Sequence, residues 1–248
     1  MPFCVPAKVF VRLALAHCLA LVLYDSALAQ DFRLLFDGTS LKGWHVSAAS
    51  DHSRTSAHRS GGRWTVEAGA IIGTQDQPGN GGLLLSDDEF GDVEIELEAR
   101  NDFGIDSGIF LRSTEAGAAY QCMVDYYPGG TIGGVYCEGL TGDLHVRNFS
   151  FLDRPELIEL VDGPFPLPVA PGQWPSLWRV GQWNRILVRI EGNPPRIRSA
   201  INGITVMDFT DKELRLGASG RIGLQLHGGE QFWGLAVRYR DLRIRRLD

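Results

Sequence analysis

Several strand-like segments of the sequence carry polar side chains on one face and apolar side chains on the other. In the segment 93–100, Glu94, Glu96 and Glu98 alternate with apolar residues, and Arg100 extends the charged row. Because successive side chains of a β-strand point to opposite faces, these carboxylates share one surface. A carboxylate there can act as general acid or base if its neighbours shift its pKa. We interpret Glu94 and Glu96 as a solvated face and retain Glu98 as a catalytic candidate.

Further polar side chains recur on one face of later segments. One of them is an arginine, whose planar guanidinium group suits carboxylates and vicinal hydroxyls. The others carry amide, carboxyl, phenol or imidazole groups. The set is Arg112, Gln121, Asp125, Tyr127, Tyr136, Gln225 and His227. Carbohydrate sites combine such planar polar groups with an aromatic ring, so the recurrence of this set on strand faces is compatible with a carbohydrate site. Each residue taken singly also has an ordinary structural explanation.

The sequence lacks the spacing of several well-known sites. It contains no Gly-x-Gly-x-x-Gly after a strand, no phosphate loop, no His-Glu-x-x-His and no Gly-x-Ser-x-Gly. The histidines are scattered, so their spacing predicts no multi-histidine metal site. A formal net charge of −6 argues against a nucleic-acid partner, because such proteins need a concentrated basic surface.

The elements that would position these side chains are short strands separated by glycine-rich turns. The runs with period-two alternation are 93–100, 109–112, 120–127, 185–190, 196–201, 222–227 and 237–247. Asn202-Gly203, between two apolar runs, is a strong hairpin signal. No long amphipathic helix is evident, so the pattern predicts an all-β sandwich or jelly roll. The length of 248 residues fits one domain over 30–248.

Residues 1–29 differ in character from the rest of the chain. Two basic residues precede the apolar run 13–23, and Ser26-Ala27-Leu28-Ala29 has the small-x-small pattern of a signal-peptidase site. The run is short for a permanent bilayer span. We therefore expect a signal peptide at 1–29 and a periplasmic or secreted protein with no stable membrane span. An uncleaved anchor and a lipoprotein acylated at Cys18 are weaker alternatives.

After loss of the leader, Cys122 and Cys137 are the remaining cysteines. They lie in strand-like segments on either side of Pro128-Gly129-Gly130-Thr131. A hairpin centred there would place them opposite each other, and an oxidising compartment would permit a disulfide. Cross-strand geometry does not always suit a disulfide, so two buried thiols are an equal alternative.

Two long stretches lack strand alternation. The segment 47–62 is rich in Ser, His and Arg, and we expect it to be flexible. The segment 153–178 contains six prolines together with Trp174 and Trp178. Loops of this length in a compact domain are usually functional or disordered. We expect the second to form an ordered flap over one end of the sandwich, with a packed cover for a sheet edge as the alternative.

Six segments follow one another in the order of a known family's motifs. They are FDGTSLKGW (36–44), WTVEAGAI (64–71), FGDVEIELEAR (90–100), DSGIFLR (106–112), GQWN (181–184) and GRIGLQLHG (220–228). Together they resemble the 3-keto-disaccharide hydrolase family, long known as a domain of unknown function. The fourth segment departs from the family pattern, because Asp106 stands where the usual residue is Asn.

The resemblance implies a concanavalin-like jelly roll that cleaves glycosides whose sugar a separate dehydrogenase has oxidised at C3. A ketone at C3 acidifies the C2 proton, so a base can remove it, the C1 substituent leaves by elimination, and water then adds. This chemistry needs a base, and a cation or metal ion for the enolate oxygen. It does not need the two opposed carboxylates of ordinary glycosidases.

The resemblance also assigns roles residue by residue. It implies that Glu98 or His227 is the base and that Arg112 steadies the developing oxyanion. It adds Gln121 and Asp125 to the pocket. We expect these two residues to bind the sugar together with Tyr136, Gln225 and Trp174, although the segment that contains Trp174 lies outside the family motifs. A divalent metal ion is an open option for the cofactor. Because fold and family do not guarantee chemistry, a non-catalytic carbohydrate-binding module and a structural domain of the cell envelope are the alternatives.

Overall fold

The computed structural model describes residues 32–142 and 144–247. The expected signal peptide at 1–29 lies outside the described residues. The chain divides into a unit that ends at Arg33, of which only two residues are described, and the unit Leu34–Asp248. The architecture below is that of the second unit. Within the described residues, no helix is long and apolar enough to cross a bilayer.

Short β-strands make up most of the structure. In chain order they are β1 (Arg33–Leu34), β2 (Trp44–Ser47), β3 (Arg63–Glu67), β4 (Ala70–Thr74), β5 (Gly82–Phe90), β6 (Val93–Ala99), β7 (Gly108–Ser113), β8 (Ala119–Val124), β9 (Ile132–Glu138), β10 (His145–Val146), β11 (Phe149–Phe151), β12 (Ile158–Leu160), β13 (Asn184–Glu191), β14 (Arg196–Ile201), β15 (Ile204–Thr210), β16 (Gly220–Leu226) and β17 (Ala236–Arg246). The helical segments are the 3-10 turns Asp51–Ser56, Pro171–Gln173 and Glu230–Phe232, and the single-turn helix α1 (Trp174–Leu177).

Two large antiparallel sheets carry the fold. The first, which we call the eight-stranded sheet, has the order β15-β14-β13-β6-β17-β4-β3. Its eighth strand, β1, lies off this path and pairs with β17. The second, the seven-stranded sheet, has the order β10-β9-β8-β7-β16-β5-β2. Strands distant in the chain lie side by side, as β7 and β16 do, which is characteristic of jelly rolls and other sandwiches. The prediction of an all-β jelly-roll sandwich is confirmed.

The period-two pattern decides which side chains enter the core. In β8, Tyr120, Cys122 and Val124 belong to the main apolar core, whereas Gln121 and Met123 line a cavity on the other face of the sheet. The other long strands alternate in the same way, because successive side chains of a pleated strand point to opposite faces. Each sheet thus has a core face and an outer face.

Part of the segment 153–178 packs on the core, and Trp174 is too deeply buried to contact a sugar. The Trp174 ring is fully buried, with its centroid 4.7 Å from that of Phe149 and 5.4 Å from that of Phe151. Its Nε1 atom donates a hydrogen bond to the carbonyl oxygen of Pro155 at 3.1 Å. Aromatic rings bury a large apolar area, so the tryptophan that was expected to contact sugar packs in the core instead.

Cys122 and Cys137 are both buried and free. Strands β8 and β9 form the predicted hairpin, but Cys122 pairs with Val135, and Cys137 pairs with Tyr120. The cysteines are therefore offset diagonally by two residues, and diagonal neighbours are too far apart for a standard disulfide. The predicted disulfide is not formed, and the alternative of two buried thiols describes the structure.

Candidate active site on the seven-stranded sheet

Two adjoining cavities lie at the outer face of the seven-stranded sheet. The first, which we call the polar cavity, has a volume of about 370 Å³. It is lined by Asp106, Gln121, Met123, Asp125, Tyr127, Tyr136, Glu138, His145, Gln225 and His227. The second, the adjoining cavity, has a volume of about 440 Å³. It is lined by Asp51, His52, Thr55, Gly79, Glu138, His227, Gly228, Gly229 and Glu230. Glu138 and His227 belong to both linings and form the border.

The polar cavity brings together most of the polar residues singled out in the sequence. Gln121 of β8, Tyr136 of β9 and Gln225 of β16 project from three strands, and Asp125 and His227 follow directly after β8 and β16. Strands β9, β8, β7 and β16 are consecutive in the sheet. The outward residues of these strands therefore meet in one concave surface, and their functional roles stay predictions.

Glu98 is not part of this site. It lies in β6 of the eight-stranded sheet, and its carboxylate accepts hydrogen bonds from Nε and Nη2 of Arg240 at 2.7 and 2.6 Å. Its neighbours Val93, Ile95 and Leu97 lie in the core, so Glu98 points to the outer face of that sheet. The whole thickness of the sandwich separates it from His227. The expectation that Glu98 and His227 share a pocket is therefore wrong, because β6 belongs to the other sheet.

Arg112 is also outside the site. It lies near the end of β7, whereas Asp106 precedes the start of that strand, and six residues of extended chain span about 20 Å. Its Nη2 atom contacts Oδ1 of Asp92 at 2.7 Å, and its Nη1 atom donates to the carbonyl oxygen of Gly192 at 2.9 Å. The guanidinium is almost completely buried. Arg112 joins two turns at the far end of the sandwich and cannot steady an oxyanion in the polar cavity.

The segment Asp106-Ser107-Gly108 builds one wall of the polar cavity. Asp106 lines the cavity, while the hydroxyl of Ser107 is buried behind it and donates to the carbonyl oxygen of Gln225 at 2.6 Å. A Cβ atom at Gly108 would lie 2.2 Å from Nε2 of Gln121. Glycine is therefore required there, because any larger side chain would displace the amide of Gln121.

A chain of hydrogen bonds orients the amide groups on the cavity floor. Nε2 of Gln121 donates to Oε1 of Gln225 at 3.0 Å, and Nε2 of Gln225 lies 3.0 Å from Nε2 of His52. Since the amide nitrogen donates, Nε2 of His52 accepts and its hydrogen is on Nδ1. The imidazole must be neutral to accept. Burial, with a smaller contribution from the charge of His227, lowers the pKa of His52 to about 3, which keeps it neutral.

The sequence interpretation missed His52 because it lies in the segment 47–62, which was expected to be flexible. The segment contains the 3-10 turn Asp51–Ser56 and is tied to the start of β5. The hydroxyl of Ser53 donates to the carbonyl oxygen of Gly81 at 2.9 Å, and the amide of Gly81 donates to the carbonyl oxygen of His52 at 2.8 Å. The expectation of flexibility is corrected. The only sequence signal was a histidine in a long loop, since His52 is 173 residues from Gln225.

His227 has one ring nitrogen directed at the polar groups. Its Nδ1 atom hydrogen-bonds to the carbonyl oxygen of Gly228, so the hydrogen of the neutral ring is on Nδ1. Nε2 then carries a lone pair and lies 3.9 Å from Oδ2 of Asp106. Nε2 of Gln75 donates to the carbonyl oxygens of His227 and Gly229 at 3.0 and 2.9 Å, which fixes the turn. A neutral imidazole held in this way can accept a proton at Nε2.

Three carboxyl groups line the polar cavity together with His227: Asp106, Asp125 and Glu138. Burial raises the pKa of Glu138, and the charge of His227 opposes this shift. Burial also raises the pKa of Asp106. The pKa of Asp125 is held well above its ordinary value, first by burial and then by the charge of Asp106 and the hydrogen bond to it. Acids with raised pKa values are frequent in catalytic sites, where they act as proton donors.

The donor groups of the site do not match a divalent metal ion. Among residues 32–142 and 144–247, no three His, Cys, Asp or Glu side chains are placed so that they could share a metal ion. The residues present therefore do not fit the divalent metal ion that the sequence analysis kept as an option for the cofactor.

Comparisons with known proteins agree on the fold and the family. The family described as the 3-keto-alpha-glucoside-1,2-lyase-like domain matches residues 31–245. Two candidate glycosyl hydrolases from Parabacteroides distasonis ATCC 8503 have similar structures, with TM-scores of 0.55 and 0.51 at 16% identity. The aligned regions cover 90% and 87% of this chain and 97% and 99% of theirs. No curated protein matches the sequence. At this identity, the two structures establish the fold alone.

Proposed function

This chain belongs to the 3-keto-alpha-glucoside-1,2-lyase-like family, and from that premise we propose that it cleaves 3-keto-glycosides by elimination followed by hydration. One observation carries the proposal. His227, with Nε2 available as a base, lies on the border between two cavities that are each large enough for a sugar ring. A glycosidic bond that crosses this border would bring the C2 hydrogen of the oxidised sugar to the imidazole.

In the first step, Nε2 of His227 removes the proton from C2. The electron pair of the C2–H bond forms the C2=C3 bond of an enolate, and the C3 oxygen gains the negative charge. In the second step, the C3 carbonyl re-forms, the C1=C2 double bond forms, and the bond from C1 to the leaving oxygen breaks. Glu138 lines both cavities and its pKa is raised by burial, so it gives its proton to the leaving oxygen.

Hydration restores both catalytic groups. Water adds its oxygen to C1 and gives a proton to the carboxylate of Glu138, while the imidazolium of His227 returns a proton to C2. The products are the free 3-keto sugar and the alcohol of the leaving group. No charge or proton is left on the protein, so both residues are ready for another cycle.

The remaining groups of the polar cavity suit an oxidised sugar ring. The half-exposed ring of Tyr136 makes an edge-on contact with His145 at a centroid distance of 5.7 Å and offers an apolar surface to one face of the sugar. The amide groups of Gln121 and Gln225 are fixed in orientation by the chain that ends at His52. Preoriented amides bind hydroxyl and carbonyl oxygens without the cost of ordering mobile side chains.

The test is incubation of the purified protein with 3-keto-trehalose and, separately, with trehalose. We expect release of 3-keto-glucose from the first substrate and no glucose from the second, because trehalose lacks the ketone that acidifies the C2 hydrogen. Parallel assays with a chelator would report any dependence on a metal ion. Binding of 3-keto-glycosides of several linkages without any cleavage would contradict the proposal and favour a carbohydrate-binding module.

Two further parts of the proposal concern the surroundings of the protein. A C3 dehydrogenase must supply the substrate, since the chemistry begins with a ketone that ordinary glycosides lack. We also propose export through the segment 1–29, which would place the reaction in the periplasm or outside the cell. Amino-terminal sequencing of the protein recovered from the extracytoplasmic fraction would test this, and a chain that retains Met1 in the cytoplasm would contradict it.

A further inference from the structure

We propose that Asp106 and Asp125 hold one proton between them and that this neutral carboxylic acid donates a hydrogen bond to the C3 oxygen as the enolate forms. The inference rests on the proposed function and names a catalytic group for it. The sequence interpretation gave this role to Arg112, which lies at the other end of β7. A neutral acid can perform it, because a donor that is already in place stabilises a developing oxyanion without reorganisation.

The position of the pair matches the C3 side of the sugar. Asp106 and Asp125 line the polar cavity and are absent from the lining of the adjoining cavity. Nε2 of His227 lies 3.9 Å from Oδ2 of Asp106. In the sugar, C2 is bonded to C1 on one side and to C3 on the other. If the leaving group crosses the border at Glu138 and His227 acts on C2, the C3 oxygen points away from the border, toward Asp106 and Asp125.

Burial of Asp125 is the evidence for the shared proton. Its side chain is more than nine-tenths buried, and its Oδ1 atom has no hydrogen-bond donor among the described residues. A buried carboxylate oxygen without a donor is costly, so the group stays neutral by keeping a proton. Asp106 lines the same cavity, and its charge raises the pKa of Asp125 further, so one proton serves both carboxyl groups. The raised pKa values of both groups agree with this geometry.

The charged and titratable groups that face the pair come from several elements. His227 and Tyr127 lower the pKa of Asp106, and Glu138 of β9 raises the pKa of Asp125 whenever Glu138 is ionised. Arg147 also lowers the pKa of Asp125, but its effect is the smallest of those that act on this group. The Nη1 atom of Arg147 donates a hydrogen bond to the carbonyl oxygen of Gly129 at 2.8 Å. Burial is the first cause of the raised pKa of both carboxyl groups, so the proton stays on the pair.

Asp106 is also the position at which this sequence departs from the family motif, where Asn is usual. An Asn at 106 would donate through an amide that does not titrate, whereas Asp106 donates only while the pair is protonated. The substitution Asp106→Asn therefore preserves the shape of the wall and replaces an acid that titrates with an amide that does not. It is the variant that separates a proton-dependent donor from a structural one.

The decisive experiment follows exchange of the C2 hydrogen in D2O with 1,5-anhydro-3-keto-glucitol, a sugar without a leaving group at C1. Exchange reports enolate formation alone. In the wild-type protein, we expect exchange to fall at alkaline pH as the pair loses its proton. Asp106→Asn should keep exchange at neutral pH within about tenfold and lose the alkaline fall. Asp106→Ala should lower exchange by about 100-fold or more, the usual effect of deleting one oxyanion donor.

Glu98→Gln is the matched control, since it makes the same carboxyl-to-amide change on the other sheet and should alter neither rate nor pH profile. Infrared spectra of the protein labelled with ¹³C-aspartate give a readout that does not depend on activity. We expect a protonated-carboxyl band at neutral pH in the wild type and its loss in the double variant Asp106→Asn/Asp125→Asn. Absence of that band in the wild type, or an unchanged alkaline fall in Asp106→Asn, would overturn the inference. Failure of the wild type to exchange at all would instead contradict the proposed function.

Discussion

Nε2 of His227 lies 3.9 Å from Oδ2 of Asp106, although the two residues come from segments more than a hundred positions apart in the chain. Asp106 precedes β7 and His227 follows β16, and these two strands are antiparallel neighbours. Pairing in this register places the start of one strand beside the end of the other. The imidazole of His227 and the partly buried carboxyl group of Asp106 are thereby brought to the same edge of the polar cavity.

Replacement of His227 tests its role as the base. We expect His227→Asn to lower kcat/KM for 3-keto-trehalose roughly 10²- to 10⁴-fold, because it removes the proton acceptor. Binding of the substrate should persist. Glu98→Gln should leave kcat/KM unchanged, since the ion pair with Arg240 lies on the other sheet. Steady-state kinetics with both variants checks this, and equal activity of His227→Asn and wild type would exclude His227 as the base.

His52 makes the fold sensitive to acid. Its pKa falls from 6.5 to about 3 on folding, so the unfolded chain binds its proton more tightly. The contribution to stability is complete above pH 6.5 and is lost as the pH falls toward 3, by up to about 1.4 kcal/mol per pH unit. Urea unfolding of wild type and His52→Gln between pH 7 and pH 4 measures it. The variant should show the shallower dependence, and parallel curves would contradict this assignment.

The carboxyl pair has the opposite effect on stability. The pKa of Asp125 is raised on folding above 3.8, so the folded protein binds the proton more tightly than the unfolded chain does. Stability is therefore lost as the pH rises from 3.8 through the raised pKa. Asp125→Asn removes this loss and should stabilise the fold by roughly 1–3 kcal/mol at alkaline pH. Thermal unfolding at pH 5 and pH 9 is the measurement, and a variant less stable than wild type at pH 9 would refute the argument.

Arg112 should be important for stability and unimportant for turnover. Arg112→Met leaves the carbonyl oxygen of Gly192 without its donor and leaves Asp92 with only the amide of Gly192, so we expect a loss of about 2–4 kcal/mol. The turnover of the folded fraction should be unchanged. Arg196→Met, which breaks the more exposed pair with Asp208, is the control and should have a smaller effect. Loss of turnover in a folded Arg112→Met protein would restore Arg112 to the site.

The two cysteines should remain reduced in an oxidising compartment. Burial raises the pKa of Cys137 to about 11, so little thiolate is present to form a disulfide, and Cys122 is completely buried. Alkylation after unfolding without a reductant, followed by mass spectrometry, should label both residues. A cross-linked peptide that contains both cysteines would show that the offset register of β8 and β9 is wrong.

The sequence by itself determined the faces of the strands, because period-two alternation depends only on local backbone geometry. It placed Gln121 and Gln225 outside the core, predicted the β8–β9 hairpin, and gave the family through motifs in order. It also marked Asp106 as a departure from that family. None of these conclusions requires knowledge of which strands are neighbours.

Only the tertiary structure decided which faces share a cavity. The alternation predicts that Glu98 points away from the core just as Gln121 does. The pairing of β6 with β13 and β17 places Glu98 on the other side of the sandwich. Alternation likewise cannot show that Arg112 and Asp106 lie at opposite ends of β7. His52 reaches the site from a loop whose sequence has no periodic pattern of apolar residues. Trp174 is buried in the core. Long-range strand pairing and burial depend on the whole chain, which is why local patterns could not supply them.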